Sequence, residues 1–401
     1  MHIALYSPAW PASKHSNGII TYVAHLRGEL LRQGHRVSVF TGVVTGPNTD
    51  DDVHIVEYRQ SFARRAYRTL LSAVSGKPAP SMGWGHHLGR KILEVHRSAP
   101  IDVVEMEESF GWCADVQAVT SLPIVVKLHG PAFLDLLDEA REEAGIRKIS
   151  AEGEALAKMR FITSPSSKTL HETVKHYQLR PELAETVPNP MVPAAPGDFW
   201  SLDQCDRRTL LFVGRFDLRK GGDIVLRAFR KLLESDPTLN LVFVGPDRGI
   251  PLDGKLLDFN AWVDALFSDA QRARIQYLGK QSPAEIPALR RRAMVTLVAS
   301  RWDNQPNTVL EALMQGCPVV AIDTGGVGEI IEHRHSGLLA QPDALDEFCA
   351  QIASMLADPE AAVQMGQRGR EATLARHDVV KLARDTLAVY RRAVPAAHEA
   401  K

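Results

Sequence analysis

Two stretches of this chain bring together residue types suited to gripping an anionic leaving group. In Val213-Gly214-Arg215-Phe216-Asp217-Leu218-Arg219-Lys220-Gly221-Gly222, Arg215 directly follows an apolar run and Lys220 stands where a helical pattern opens. A planar guanidinium and a compact ammonium beside a helix N-terminus suit a diphosphate. In Ser300-Arg301-Trp302-Asp303-Asn304-Gln305-Pro306-Asn307-Thr308-Val309-Leu310-Glu311, Pro306 can start a helix. The amides of Asn307, Thr308 and Val309 would then be unpaired and face a phosphate. Glu311 falls one turn further in, where its carboxylate could accept hydrogen bonds from a ribose diol. Asp303, on the loop before the helix, could reach sugar hydroxyls.

The first half offers two weaker candidates. Ser16-Asn17-Gly18-Ile19-Ile20-Thr21 is a glycine loop opening a helix whose free amides favour an anion. His129-Gly130 follows the apolar run 124–128, setting an imidazole at a strand terminus beside a glycine that lets a ligand approach the backbone. Such a polar strand end suits hydroxyl recognition or local charge stabilisation. Other patterns fail on spacing. Asp50-Asp51-Asp52 precedes a strand instead of following one and reads as a solvated turn. His171 and His176 are five apart and sit on different helix faces, unlike a zinc helix. Glu332-His333-Arg334-His335 lies in a polar turn. Cys113, Cys205, Cys317 and Cys349 are separated by 92, 112 and 32 positions, which excludes a disulfide framework or zinc finger and leaves buried reduced thiols.

The elements that must carry these residues repeat a rhythm of short apolar strands and longer amphipathic stretches, the pattern of parallel βαβ units. Strands are expected at 2–6, 36–40, 53–57, 102–105, 124–128, 160–163 and 185–187, with helices near 18–33, 86–97, 133–158 and 165–176. In the last helix Ser164 reads as the cap and Pro165 as the first helical residue. Four prolines within 188–196 forbid regular structure and mark a linker. A second series follows: strands 209–213, 239–244, 274–277, 294–298 and 318–322, with one helix from Lys220 and another through Glu311. The stretch 379–394 reads as a helix that could pack back across the cleft. In open parallel sheets ligands gather beyond the carboxyl ends of strands, which is where the candidate residues lie.

The chain has 401 residues, 45% apolar and 24% charged, with a formal net charge of −1. That length suits two to three domains with a large core. The charge balance argues against a nucleic-acid partner held by a global positive field. Met1-His2-Ile3-Ala4-Leu5-Tyr6 carries no basic leader, and no apolar run approaches the ~20 residues that span a bilayer, so a cytoplasmic protein is expected. Between Arg59 and Arg97 eight Lys or Arg face a single acid, Glu94. Arg64, Arg65 and Arg68 there share a segment with Phe62, Tyr67, Leu70 and Leu71. The pattern suits either a solvated face, peripheral contact with an anionic membrane at the inner face of the cell membrane, or an anionic acceptor. A nicotinamide dehydrogenase shares the βαβ rhythm, but no G-x-G-x-x-G follows the first strand.

Asn17-Gly18, His129-Gly130, Pro188-Asn189, Gly214-Arg215 with Lys220-Gly221, Asp303 with Glu311, and Thr324-Gly325-Gly326-Val327-Gly328-Glu329 occur in an order that spans nearly the whole chain. In this the sequence resembles the retaining GT-B glycosyltransferases of family 4. The resemblance implies an α/β fold of two Rossmann-like, doubly wound parallel-sheet domains facing across a cleft: an acceptor-binding domain over 1–190, a linker over 191–207, a nucleotide-sugar domain over 208–375 and a C-terminal helix within 376–401. It implies catalytic roles for His129, Arg215, Lys220 and Asp303. Donor contacts would come from Gly18, Arg215, Lys220, Asn307, Thr308, Val309 and Glu311, with His129 near the reacting centre of the donor sugar. Acceptor contacts fall to Asn17 and Glu107, the latter within Glu105-Met106-Glu107-Glu108. No metal and no prosthetic group is implied. The donor is a UDP-, GDP-, ADP- or TDP-sugar, and the acceptor a saccharide, a lipid-linked glycan or a small metabolite. Asp303 stands where the family usually has Glu, and Asn17-Gly18 where Gly-Gly is common. Lys220→Ala is expected to leave the fold intact and to lower turnover by orders of magnitude. The alternatives are an epimerase or phosphorylase on the same scaffold, or a non-catalytic nucleotide-sugar sensor.

Overall fold

The structure is a computed structural model that describes residues 1–15, 17–58, 83–135 and 142–395. The basic segment centred on Arg64, Arg65 and Arg68 lies outside the described residues, as does Ser16. The first sheet holds β1 (His2–Tyr6), β2 (Arg36–Thr41), β3 (Val53–Ile55), β4 (Val103–Glu107), β5 (Ile124–Lys127), β6 (Phe161–Ser164) and β7 (Leu183–Thr186). All its pairings are parallel, in the order 3-2-1-4-5-6-7. Its helices are α1 (Gly18–Arg32), α2 (Trp84–Ser98), α3 (Trp112–Thr120), α4 (Ala132–Asp135), α5 (Glu143–Leu156) and α6 (Ser167–His176). The central strands are covered on both faces, which is why β1, β4 and β5 are buried along their whole lengths.

The second sheet is also parallel and runs 12-9-8-13-14-15, built from β8 (Asp206–Val213), β9 (Asn240–Val244), β12 (Ile275–Gly279), β13 (Ala293–Val298), β14 (Val319–Ile322) and β15 (Leu338–Ala340). An antiparallel hairpin, β10 (Ile250–Leu252) with β11 (Lys255–Leu257), stands apart. The helices are α7 (Gly222–Ser235), α8 (Phe259–Leu266), α9 (Asp269–Arg272), α10 (Ile286–Arg292), α11 (Asn307–Met314), α12 (Val327–Ile330), α13 (Leu345–Ala357), α14 (Pro359–Arg376) and α15 (Val379–Ala393). In each sheet the strand order reverses beside the first strand, between β1 and β4 and between β8 and β13. Such switch points open a crevice at the strand ends.

The chain crosses between the domains twice. After the linker, α15 returns to the first domain, where Leu382, Leu387 and Tyr390 share a core with Ile3, Leu5 and Tyr22. The two crossings are tied together, since the Met191 amide donates to the His377 carbonyl at 3.0 Å and His377 Nδ1 lies 3.0 Å from the Asn189 carbonyl.

Several boundaries differ from those expected. The helix after Lys220 begins only at Gly222, because Gly221 takes φ +71° and passes so near β13 that a Cβ would sit 1.9 Å from the Ala299 carbonyl oxygen. Ser166, not Ser164, caps α6, its hydroxyl accepting the Thr169 amide at 3.3 Å. Pro306 is the cap of α11 instead of its first helical residue. The single helix read over 133–158 is interrupted at Glu142, whose extended backbone (φ −78°, ψ 152°) precedes α5. Helix α3, the hairpin and β15 had no sequence signal long enough to register as a period.

Candidate active site

The candidate residues lie beyond the carboxyl ends of β1, β5, β8 and β13. Gly18 opens α1 and Asn307 opens α11, and a Cβ on Gly18 would lie 3.6 Å from Asn307 Nδ2, so two helix N-termini face each other across the gap. Both direct partial positive charge into it. Val309 does not join them: its amide donates to the Pro306 carbonyl at 3.0 Å, leaving Asn307 and Thr308 as the open amides of α11. Asn17 is exposed and caps α1, its Oδ1 accepting the Ile19 amide at 2.8 Å, so in this structure its side chain is occupied locally.

Beyond β8, Arg215 is about two-fifths exposed, and its Nε donates to Asp217 Oδ2 at 2.6 Å. The other oxygen of Asp217 accepts the Lys220 amide at 2.7 Å, so one carboxylate sets both cations. Lys220 Nζ is ion-paired with Asp303, which is buried. Burial alone would raise the Asp303 pKa, but Lys220 and Arg219 outweigh it and hold the carboxyl below the usual carboxylate range. This pairing corrects the expectation that Lys220 can be removed with the fold untouched, because its loss strands a buried carboxylate. Gly325, at φ +53°, packs where a Cβ would be 1.9 Å from the Asp303 carbonyl oxygen, so the glycine pair at 325–326 lets this loop close on the next strand's turn. Glu311 accepts from Arg290 Nη2 at 2.7 Å while keeping nearly two-fifths of its side chain exposed, so an oxygen remains available to a ligand.

On the opposite wall His129 packs edge-on to Tyr22, ring centroids 5.2 Å apart. Burial, with Lys127 adding to it, pushes its pKa down to about 3, so the imidazole is neutral. Beneath it Tyr22 donates to Glu105 at 2.7 Å, and Lys127 Nζ sits over the Tyr22 ring and donates to the Val187 carbonyl at 2.7 Å. Glu105 and Glu108 are thus interior groups, and Glu107 lies with them below the surface, which corrects the expectation that Glu107 meets the acceptor. Glu107, at the end of β4, is also buried, and its carboxylate accepts from Ser109 Oγ at 3.0 Å. Burial raises it to about 7.

The two walls are joined by residues that sequence reasoning assigned no role. Asn304 Nδ2 donates to the Leu128 carbonyl at 3.0 Å, and its Oδ1 accepts from Ser166 at 2.6 Å. Gln305 accepts the Asn189 amide at 2.7 Å and donates to the Pro165 carbonyl at 3.2 Å. Arg219 reaches Asp135 at 2.8 Å, and Glu329 accepts the Ser167 and Lys168 amides at 3.0 and 2.9 Å, capping α6 from the other domain. Among the described residues no His, Cys, Asp or Glu cluster could hold a metal ion, and Asp50 and Asp52 pair with Arg27 and Arg36. No described helix is long and apolar enough to cross a membrane.

Two doubly wound parallel-sheet domains with opposed helix N-termini across their cleft define a GT-B protein. Residues 200–372 match the family described as glycosyl transferases group 1, and residues 16–194 match glycosyltransferase family 4. The chain belongs to this family 4/group 1 class of GT-B glycosyltransferases. It is similar to the D-inositol 3-phosphate glycosyltransferase of Segniliparus rotundus, at 28% identity over 92% of this chain and 83% of that protein. The Corynebacterium efficiens protein of the same name is 24% identical over 89% of this chain and 86% of its own. Among solved structures, sucrose-phosphate synthase of Thermosynechococcus elongatus superposes with TM-score 0.74 at 17% identity, over 98% of both chains. Anabaena HepE in complex with UDP-glucose superposes with TM-score 0.68 at 18% identity, over 97% of this chain and 99% of that one.

Proposed function

We propose that this glycosyltransferase is a retaining enzyme that moves a sugar from a nucleotide-diphosphate donor to an acceptor bound against the first domain, without a divalent metal. One observation carries the reading: Asp217 sets the cations Arg215 and Lys220 side by side, while Gly18 and Asn307 bring the N-termini of α1 and α11 together across the cleft. As the glycosidic bond to the diphosphate breaks, negative charge grows on the leaving phosphate while the anomeric carbon becomes cation-like. Preorganised donors aimed at that charge are worth roughly 2.7–4 kcal/mol each in the barrier. Two side-chain cations and two helix ends supply the positive charge that a metal would otherwise bring.

In this reading the diphosphate takes Lys220 as a shared partner with Asp303, and Asp303 meets hydroxyls of the donor sugar. Glu311 accepts from the ribose, and neutral His129 bonds a sugar hydroxyl near the reacting centre. The leaving phosphate oxygen takes the acceptor's proton on the same face, which retains configuration and needs no carboxylate base. The neighbouring complex of HepE with UDP-glucose makes a uridine donor the first to try.

The experiment is a thermal-shift screen with UDP-, GDP-, ADP- and TDP-glucose, since a ligand that binds only the native state raises its Tm. It is followed by NMR of the product's anomeric proton, with turnover measured in EDTA. Retained configuration and EDTA-insensitive turnover are expected. Inversion removes the mechanism, donor hydrolysis or epimerisation without transfer favours another enzyme on this scaffold, and tight binding without turnover favours a sensor.

A further inference from the structure

We propose that Glu108 and Glu152 are positioning residues for His129: two buried carboxylates grip the turn 128–132 by its backbone amides while Asn304 of the opposite domain holds its carbonyl. The inference rests on the reading of His129 as a donor-sugar contact. Glu108, fully buried directly after β4, accepts the His129 amide at 2.9 and 3.1 Å with its two oxygens and the Gly130 amide at 2.7 Å. Glu152, fully buried on α5, accepts the Ala132 amide at 2.9 Å and the Tyr177 hydroxyl at 2.9 Å. The turn is therefore held at three amides from within its own domain, and from the other side by the bond from Asn304 Nδ2 to the Leu128 carbonyl.

Nothing in the sheet requires charged groups here. A turn at a strand end can satisfy its amides with water, whereas burying two carboxylates in one pocket is costly. What the arrangement achieves is a fixed backbone under an imidazole whose ring is itself confined by Tyr22. The same turn leads into Asp135, which meets Arg219 across the cleft, so the grip also sets an interdomain contact.

The surroundings make the grip sensitive to pH. Burial, with the charges of Glu152 and Glu107 adding to it, holds Glu108 well above the usual carboxylate range, and the Gly130 amide opposes them. Burial pushes Glu152 up to about 7 against its bonds from Ala132 and Tyr177; Lys148 lowers it and Asp135 raises it. Cys113, on α3, also faces Glu108 and Glu152 and remains a thiol, its pKa pushed up to about 12 mainly by burial. An ionised carboxylate binds amides more strongly than a carboxyl does, so the turn is held harder as the cluster loses its protons.

The test uses full-length protein, Glu108→Gln and Tyr177→Phe, with histidine labelled in 15N. The His129 amide signal, identified as the one missing from His129→Asn, is expected to move with pH above the usual carboxylate range and to lose that movement in Glu108→Gln. A glutamine would turn one N–H donor against the amides, and kcat should fall about 10- to 100-fold with donor KM within about twofold. Tyr177→Phe removes a donor that lowers Glu152, so the acid limb of the kcat profile should move to higher pH, and the amide titration should shift with the altered charge of Glu152 beside Glu108. A folded Glu108→Gln with wild-type kcat and an unchanged His129 titration overturns the proposal. Should Glu108→Gln not fold, an unmoved limb and titration in Tyr177→Phe overturn it instead. Absence of sugar transfer by the wild type overturns the functional reading, and the amide titration then decides the clamp by itself.

Discussion

Gly18 and Asn307 open helices in different domains, yet a Cβ on the glycine would lie only 3.6 Å from the asparagine Nδ2. The two helix tips therefore meet across the cleft with no side chain from α1 between them. That distance is ordinary van der Waals contact, so one methyl fits and a branched chain does not. Gly18→Ala is expected to keep the wild-type Tm and most of its activity. Gly18→Leu should fold but lose the Tm increase on adding UDP-glucose, with kcat/KM down about 100-fold or more. A Gly18→Leu enzyme with wild-type donor response would move the ligand away from this gap.

The Lys220–Asp303 pair carries both stability and the proposed phosphate grip. Lys220→Ala leaves the buried Asp303 without its direct ion-pair partner and with only Arg219 to offset its charge, a loss below the about 3–5 kcal/mol of a fully stranded buried charge. Lys220→Ala/Asp303→Asn removes the stranded charge and should regain most of that loss in urea denaturation. Neither variant should regain turnover, which is expected to fall about 100-fold or more. Recovery of activity in the double variant would show that Lys220 serves Asp303 alone.

His129 titrates below the pH range in which enzymes usually work. Its folded pKa of about 3 is below the ordinary histidine value, so protonation favours the unfolded chain. The stability this neutrality confers is complete above about pH 6.5 and drains away as pH falls toward 3. Between pH 6.5 and 5 the wild type should lose roughly 2 kcal/mol more than His129→Asn does. The kcat profile above pH 6 should contain no limb from this residue. A limb near pH 6.5 that vanishes in His129→Asn would mean the imidazole is charged in the cleft.

Much of this architecture is legible in the chain because parallel strands buried on both faces read as unbroken apolar runs, and the residues after them are the ones the cleft collects. Arg215, Lys220, Asp303 and Asn307 stand out for that reason. What pattern cannot disclose is partnership. Glu329 sits in a glycine-rich motif of the second domain, yet its carboxylate caps α6 of the first. Gln305 looks like loop filler and bonds the linker amide of Asn189. Glu105, Glu107 and Glu108 look alike in sequence, but β4 sends Glu105 to Tyr22 and Glu107 to Ser109, and Glu108 just after it goes to the His129 turn. These pairings are set by how strands and domains pack, so no local spacing encodes them. The fate of the Val309 amide was equally hidden, because it depends on Pro306 capping α11 instead of lying inside it.

Glu107 gives the opposite pH signature to His129. Burial lifts its carboxyl from the ordinary 4.5 to about 7, with Ser109 and Lys148 only partly offsetting it. In the folded protein the proton therefore stays on while the unfolded chain has already released it. Stability is unaffected below about pH 4.5 and declines as pH climbs to about 7, by roughly 3 kcal/mol for a shift of that size. Glutamine keeps an acceptor for the Ser109 hydroxyl and never ionises. Glu107→Gln should thus match the wild type in Tm at pH 4.5 and exceed it progressively up to pH 7, with no further divergence above about pH 8. A Tm difference that stays constant across this range would mean that Glu107 is solvated in the folded protein and open to the cleft, which would restore it as a surface group available to an acceptor.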